Sequence, residues 1–117
     1  KNNNNNNRVS FVVGLPLDAI EAFYNVPAQT DALGAGSAFV GVGLDSTTAL
    51  AAGAGGAMGY SNIYSTISAT AGFAALYPGI GFHFVQAIEY AQNNATHTFY
   101  GDAAVLSANG LFLFGMF

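Results

Sequence analysis

The side chains with metal-binding or acid–base chemistry are two histidines, His83 and His97, and six carboxylates. A metal site needs three or four such ligands on one side of the fold. His83 and Glu89 share a face of one predicted strand, but six residues separate them by about 20 Å at about 3.3 Å per residue. His97 is expected on the opposite face of a hairpin. We therefore predict hydrogen-bonded or interfacial histidines and no metal or other cofactor; three His83 copies meeting on a threefold axis are the alternative.

A catalytic constellation is missing from the sequence. Gly34 to Ser37 has the wrong order for a nucleophile elbow, and the glycine-rich segment Gly53 to Gly59 lacks the lysine of a phosphate-binding loop. No cysteine is present, which excludes thiolate catalysis and disulfides. The carboxylates are scattered, with no pair in glycosidase geometry. They are Asp18, Glu21, Asp31, Asp45, Glu89 and Asp102. We expect no enzymatic activity.

Charge is scarce throughout the chain. Asp, Glu, Lys and Arg make up 7% of the 117 residues and apolar types 52%, whereas a typical globular domain is about 25% charged. A domain of this size buries only about two-thirds of its unfolded surface, and surface charge keeps monomers apart. We infer that copies of the chain, or a partner, cover much of the folded surface.

Composition argues against two classes of partner. The cations are Lys1 and Arg8 alone, too few to neutralise nucleic-acid phosphates. The longest candidate for a membrane helix, Thr66 to Ala87, is interrupted by Pro78 and by glycines, so we predict no membrane span. No secretory signal pattern opens the sequence.

The asparagine tract at the amino end predicts a linker or tail over residues 1–8, because polar repeats bury too little surface to fold. Residues 9–117 are predicted to form one domain of short strands punctuated by Gly and Pro, which indicates an antiparallel β-sandwich. A loop, or a strand against another backbone, is expected over Ala49 to Gly59, and a helix after Asp18 is an alternative to the second strand. The predicted strands are Val9 to Leu15, Ala19 to Val26, Ser37 to Asp45, one or two within Tyr60 to Leu76, Ile80 to Ala91, Ala95 to Asp102 and Gly110 to Phe117.

The segment Ile80 to Ala91 alternates strictly between two faces. One face is large and aromatic, with Phe82 and Phe84, and we assign it to the core. The opposite face carries small and polar residues, which would let another sheet or subunit approach closely. Its candidate interface residues are His83, Val85, Ala87 and Glu89. Asn93-Asn94 predicts a tight turn into a hairpin with Ala95 to Asp102.

Four features follow one another in the last third of the chain: Tyr77-Pro78-Gly79, Gly81 to Ala91, Thr96 to Asp102 and Gly110 to Phe117. In this order they resemble the terminal strands of trimeric jelly-roll heads on phage fibres and decoration proteins, which are similar to the C1q and tumour-necrosis-factor type of trimer. The segment Asp45 to Gly59 departs from that pattern. The resemblance implies a jelly-roll-like homotrimer whose last strand lies near the threefold axis, with Phe112, Phe114 and Phe117 at the interface.

These expectations combine into a non-enzymatic viral structural protein, a display or attachment module at the virion surface or otherwise extracellular. Its partners would be further copies, other virion proteins and a host surface glycan or receptor. The alternatives are a self-assembling filament or matrix protein that adds strands edge to edge, and a small carbohydrate-binding adhesin. Sugars stack on tyrosine and hydrogen-bond to asparagine, so the candidate ligand contacts are Tyr60, Asn62, Tyr64 and Asn109.

Overall fold

The computed structural model describes residues 7–16, 19–30, 37–51, 54–55, 58–60, 66–91, 97–100 and 110–115. The regular elements there are antiparallel strands, so the prediction of an all-β antiparallel fold is confirmed. No helix in these ranges is long and apolar enough to cross a membrane. The strands are β1 (Arg8–Val13), β2 (Ile20–Thr30), β3 (Ser37–Leu44), β4 (Ala54–Gly55), β5 (Met58–Tyr60), β6 (Thr66–Leu76), β7 (Gly81–Ala91), β8 (His97–Phe99) and β9 (Gly110–Gly115).

The strands form two sheets. Sheet A has the order β1-β7-β3-β5, and sheet B has the order β4-β6-β2-β8. The same edge of β2 that pairs with β8 also pairs with β9, so these two short strands follow one another along it. Arg8 lies in β1, so this strand includes the last residue of the segment predicted as a tail.

Alternate residues of β2, β3 and β7 form one hydrophobic core between the sheets, which gives a sandwich-like fold. Most of these side chains are short, so the two sheets can approach closely. The Tyr24 hydroxyl is the one polar side-chain group in this cluster, and it donates a hydrogen bond to Glu89, because burial without a partner is costly. The buried cluster consists of Ile20, Ala22, Tyr24, Val26, Val40, Val42, Val85 and Ala87.

The orientation predicted for β7, the strand expected from Ile80 to Ala91, is wrong. Val85 and Ala87 of β7 are buried in the core, whereas Phe82 on the opposite face is 69% exposed. The approaching layer is sheet B of the same subunit, and most of the side chains between the two sheets are short. Val85 and Ala87 therefore belong to the core and not to an intersubunit interface.

The predicted hairpin between β7 and β8 is also wrong. Tyr90 pairs with Phe39 of β3, and His97 pairs with Thr30 of β2, so the two strands lie in different sheets. Strand β3 pairs with β7 as far as Ala91, and β1 occupies the other edge of β7 from Gly81 to Gln86. Strand β8 pairs with β2 instead, and the predicted turn residues lie outside the described ranges.

Strand β2 runs through Pro27, where the sequence predicts its end. The β9 pairing of β2 stops at Asn25 and the β8 pairing begins at Ala28, so Pro27 falls between the two partners. Its carbonyl accepts a hydrogen bond from the Tyr100 amide at 2.9 Å. A residue's N–H and C=O point toward the same neighbouring strand. The missing proline N–H therefore faces the break between β8 and β9, where a ladder hydrogen bond is dispensable.

The loop after β3 folds back over the outer face of sheet A. It starts at Asp45, whose φ of 50° lies in the left-handed region that Asp tolerates better than most residues. The Ala51 amide then donates to the Val42 carbonyl at 2.9 Å. A Cβ on Gly43 would lie 2.5 Å from the Ser46 carbonyl oxygen. Glycine at this position therefore permits the loop to pack on the strand.

Candidate interaction surface

Large apolar side chains are exposed mainly at one end of the fold. Strand register places the end of β1 beside the start of β7, because Val13 pairs with Gly81. It also places the start of β2 beside the ends of β6 and β9, because Ile20 pairs with both Leu76 and Gly115. We call this region the apolar end. Its exposed residues are Val12, Leu15, Phe23, Tyr77, Ile80, Phe82, Phe112 and Phe114.

The first part of the apolar end, the A patch, lies on the outer face of sheet A and consists of Val12, Ile80 and Phe82. Val12 and Phe82 are paired neighbours in β1 and β7. Ile80 immediately precedes β7 and is 66% exposed. The A patch therefore places three exposed apolar side chains at the start of β7 and on the neighbouring end of β1.

The second part, the B patch, lies on the outer face of sheet B and consists of Phe23, Phe112 and Phe114. Phe23 pairs with Phe112 across β2 and β9. The rings of Phe23 and Phe114 meet edge to face, with centroids 6.2 Å apart. Phe114 is nevertheless 56% exposed, so these rings remain available for contact with another molecule.

A charged residue borders each patch. The Arg8 guanidinium lies 4.1 Å from the ring centroid of Phe84, which is two residues from Phe82 on the same face. Its Nε donates to Gln86 Oε1 at 3.1 Å. On the other sheet, exposed Glu21 pairs directly with Phe114.

His83 lies on the inner side of the A patch and is held by Asp45. Its Nδ1 is 2.7 Å from Asp45 Oδ2, and Nδ1 carries the proton because a carboxylate accepts. Asp45 Oδ1 accepts the Phe84 amide at 2.9 Å, and the Phe11 ring lies 5.9 Å from the imidazole. The prediction of a hydrogen-bonded histidine is confirmed. Within the described ranges, no three His, Cys, Asp or Glu residues are grouped as a metal site.

Glu89, another predicted interface residue, lies toward the other end of β7. Its Oε1 accepts a hydrogen bond from the Tyr24 hydroxyl at 2.6 Å, which joins sheet A to sheet B. Burial raises the pKa of Tyr24 well above its usual range, and the hydrogen bond and negative charge of Glu89 raise it further. The pair links the two sheets and stands apart from the exposed patches.

The structure brings together only part of the predicted interface. Phe112 and Phe114 lie in the B patch, with His83 near the same end of the fold. Phe117 is outside the described ranges. Sequence reasoning missed Phe23, although its alternation with the apolar residues of β2 could have placed it on an outer face.

The predicted sugar contacts are not gathered into a described site. Asn62, Tyr64 and Asn109 lie outside the ranges that the structure describes. The backbone of Tyr60 belongs to β5 and pairs with Ser37. The apolar end is therefore the surface from which a function can be argued.

Comparisons with known proteins give no match: no protein-family model, curated protein or solved structure is similar to this chain. The likeness to trimeric phage heads consequently depends on the motifs between residues 77 and 117 alone.

Proposed function

We propose that this chain is a non-enzymatic structural module that assembles with further copies of itself through the apolar end. The exposed aromatic residues at that end, in a chain with 7% charged residues, carry the proposal. Monomers rarely expose apolar patches larger than a few hundred Å². Burial of apolar surface favours association by about 25 cal/mol per Å², and there is little charge on the chain to oppose it.

The assembly that we propose is a homotrimer of jelly-roll type, displayed at a virion surface or otherwise outside the cell. The exposure of Phe112 and Phe114 supports this form, because the resemblance to phage heads assigns the last strand to the interface. Other virion proteins and a host glycan or receptor would be its further partners. The work of the module is passive: it presents loops while its apolar surfaces hold the copies together.

A filament is the second candidate, and the position of the two patches favours it. The A patch and the B patch lie on opposite outer faces of the fold. A contact between unlike surfaces closes into a ring at some rotations and propagates as an open chain at others. A matrix or filament protein is the outcome if the rotation does not close.

Light scattering over a hundredfold concentration range tests the proposal. A constant mass of about 36 kDa, three times the 12.0 kDa of one chain, is expected for the trimer. A mass that climbs with concentration indicates the filament. A monomer at every concentration would refute assembly of either kind.

Two matched variants locate the interface. Phe82→Ser and Phe114→Ser each remove an exposed ring from one patch, and each is expected to weaken association about tenfold or more, from the usual contribution of a buried Phe. Tyr90→Ser is the control, because Tyr90 is 50% exposed on β7 but remote from the apolar end. Equal effects of all three substitutions would mean that the apolar end is not the interface.

A further inference from the structure

The charges that border the two patches have opposite signs. Among the described residues, the one contact between a basic and an acidic side chain joins His83 to Asp45. Arg8 and Glu21 therefore have no ionic partner in that part of the chain. Each lies beside an exposed apolar surface, which is where a second molecule could supply the missing charge.

Arg8 is held in position on the outer face of sheet A. It pairs with Gln86 in the β1–β7 register, and its guanidinium lies over Phe84. Gln86 is fully buried and its Nε2 donates to the Asn7 carbonyl at 3.2 Å. These contacts fix the arginine with its positive charge directed along the strand toward the A patch.

Glu21 lies on the outer face of sheet B. It alternates with Ile20 and Ala22, which are buried in the core, so its side chain points outward. Its paired neighbour is Phe114, and Phe23 follows two residues later on the same face. The B patch is therefore an aromatic surface with a negative charge at its border.

We propose that the A patch of one copy docks on the B patch of a second copy, with Arg8 of the first facing Glu21 of the second. This inference rests on the proposed self-assembly and specifies how the copies meet. Contacts between like patches are disfavoured by the same charges. A contact between two B patches would bring two Glu21 carboxylates into one interface. A contact between two A patches would likewise bring together two copies of Arg8. Charge complementarity of this kind selects orientation more than it adds affinity.

Charge substitutions followed by sedimentation equilibrium of the full chain test this arrangement. Glu21→Gln is expected to weaken association up to about fivefold, the range of exposed ion pairs. Glu21→Arg and Arg8→Glu each place like charges in the contact and are expected to weaken it about tenfold. The double variant R8E/E21R restores an opposite pair and is expected to recover most of the wild-type association.

Two controls separate charge from folding. Arg8→Lys retains the charge and should associate like the wild type, and thermal unfolding identifies any variant in which Arg8 packing on Phe84 has been lost. Stronger association of Glu21→Gln would overturn the inference, because it indicates two B patches in contact. Failure of R8E/E21R to recover, with normal unfolding, overturns it as well. In both cases the assembling wild type leaves the proposed function standing, whereas a monomeric wild type removes both.

Discussion

The hydrogen bond between Tyr24 and Glu89 joins the two sheets through a single pair of side chains. Tyr24 is almost completely buried on β2, and Glu89 is half-buried on β7. A half-buried carboxylate needs a donor, because desolvation without one costs free energy. The Tyr24 hydroxyl supplies that donor at 2.6 Å. The pair is therefore expected to stabilise the fold mainly because the Glu89 carboxylate would otherwise be half-buried without a hydrogen-bond donor.

Tyr24→Phe is expected to destabilise the fold by about 1–3 kcal/mol, since it leaves the Glu89 carboxylate without its donor. The measurement is urea unfolding at neutral pH. Tyr90→Phe removes an exposed hydroxyl instead and should change the unfolding free energy by less than about 0.5 kcal/mol. A loss in Tyr24→Phe no larger than in this control would contradict a role for the hydrogen bond.

The same tyrosine predicts a dependence on alkaline pH. Because the pKa of Tyr24 is raised in the folded state, the unfolded chain releases this proton first, near the ordinary tyrosine pKa of about 10. The stabilisation is complete below that pH and falls as pH rises above it, by up to about 1.4 kcal/mol per pH unit. Unfolding measured from pH 8 to 11 should show a steeper alkaline decline for the wild type than for Tyr24→Phe.

At the scale of elements, the loop after β3 depends on two glycines that face it. A Cβ on Gly43 would lie within 2.8 Å of two backbone carbonyl oxygens, those of Ser46 and Ala49. The nearest atoms to a Cβ on Gly41 belong to the side chain of Leu50, which is half-exposed. Backbone atoms in a packed loop cannot move aside, whereas a surface side chain can rotate away.

Gly43→Ala is therefore expected to cost about 1–3 kcal/mol of unfolding free energy, as overpacking usually does. Gly41→Ala, two residues away on the same strand, is expected to cost less than about 1 kcal/mol. Parallel urea titrations of the two variants measure the difference. A similar cost for both would show that the loop adjusts as a whole.

Strand β7 shows which parts of the fold the sequence could predict. Its alternation predicts a strand from Ile80 to Ala91, and the strand observed is Gly81–Ala91. Alternation is symmetric, however, and does not identify the face that is buried. The buried face is determined by β2 and β3, whose core residues are mostly short and let the two sheets approach closely. The small residues Val85 and Ala87 fit into such a narrow space better than Phe82 does. The predicted hairpin is wrong for a related reason, since a turn signal does not reveal that the end of β7 pairs with β3 and that β8 pairs with β2.

Of the six residues in the two patches, the sequence analysis names Phe112 and Phe114 as interface candidates, and it does so through the resemblance. Phe112 and Phe114 were assigned to an interface through their place in the last strand. Phe82 is assigned to the core in the sequence analysis, and Val12 is missed because it becomes the neighbour of Phe82 only through the pairing of β1 with β7, segments far apart in the chain. The contact of His83 with Asp45 was missed for the same reason.

At the scale of the whole molecule, a contact between unlike patches predicts that two variants, each lacking a different patch, assemble when they are mixed. Phe82→Ser keeps an intact B patch, and Phe114→Ser keeps an intact A patch. At a concentration where the wild type just assembles, each variant alone is expected to be a monomer, whereas an equimolar mixture should form a pair of about 24 kDa, twice the 12.0 kDa of one chain. Light scattering of the separate and mixed samples measures this. Self-association of Phe82→Ser alone would contradict a contact between unlike patches.

The pairing of β1 and β2 with the last strands has a consequence for the order in which the protein can fold during its synthesis. Arg8 bonds to Gln86, 78 residues later, and Ile20 pairs with Gly115. Neither sheet can be completed until β7 and β9 have emerged from the ribosome. Long-range strand pairing is slow, and unpaired strand edges are prone to aggregate in the meantime. The apolar side chains of β1 and β2 therefore stay unburied until those later strands have been synthesised.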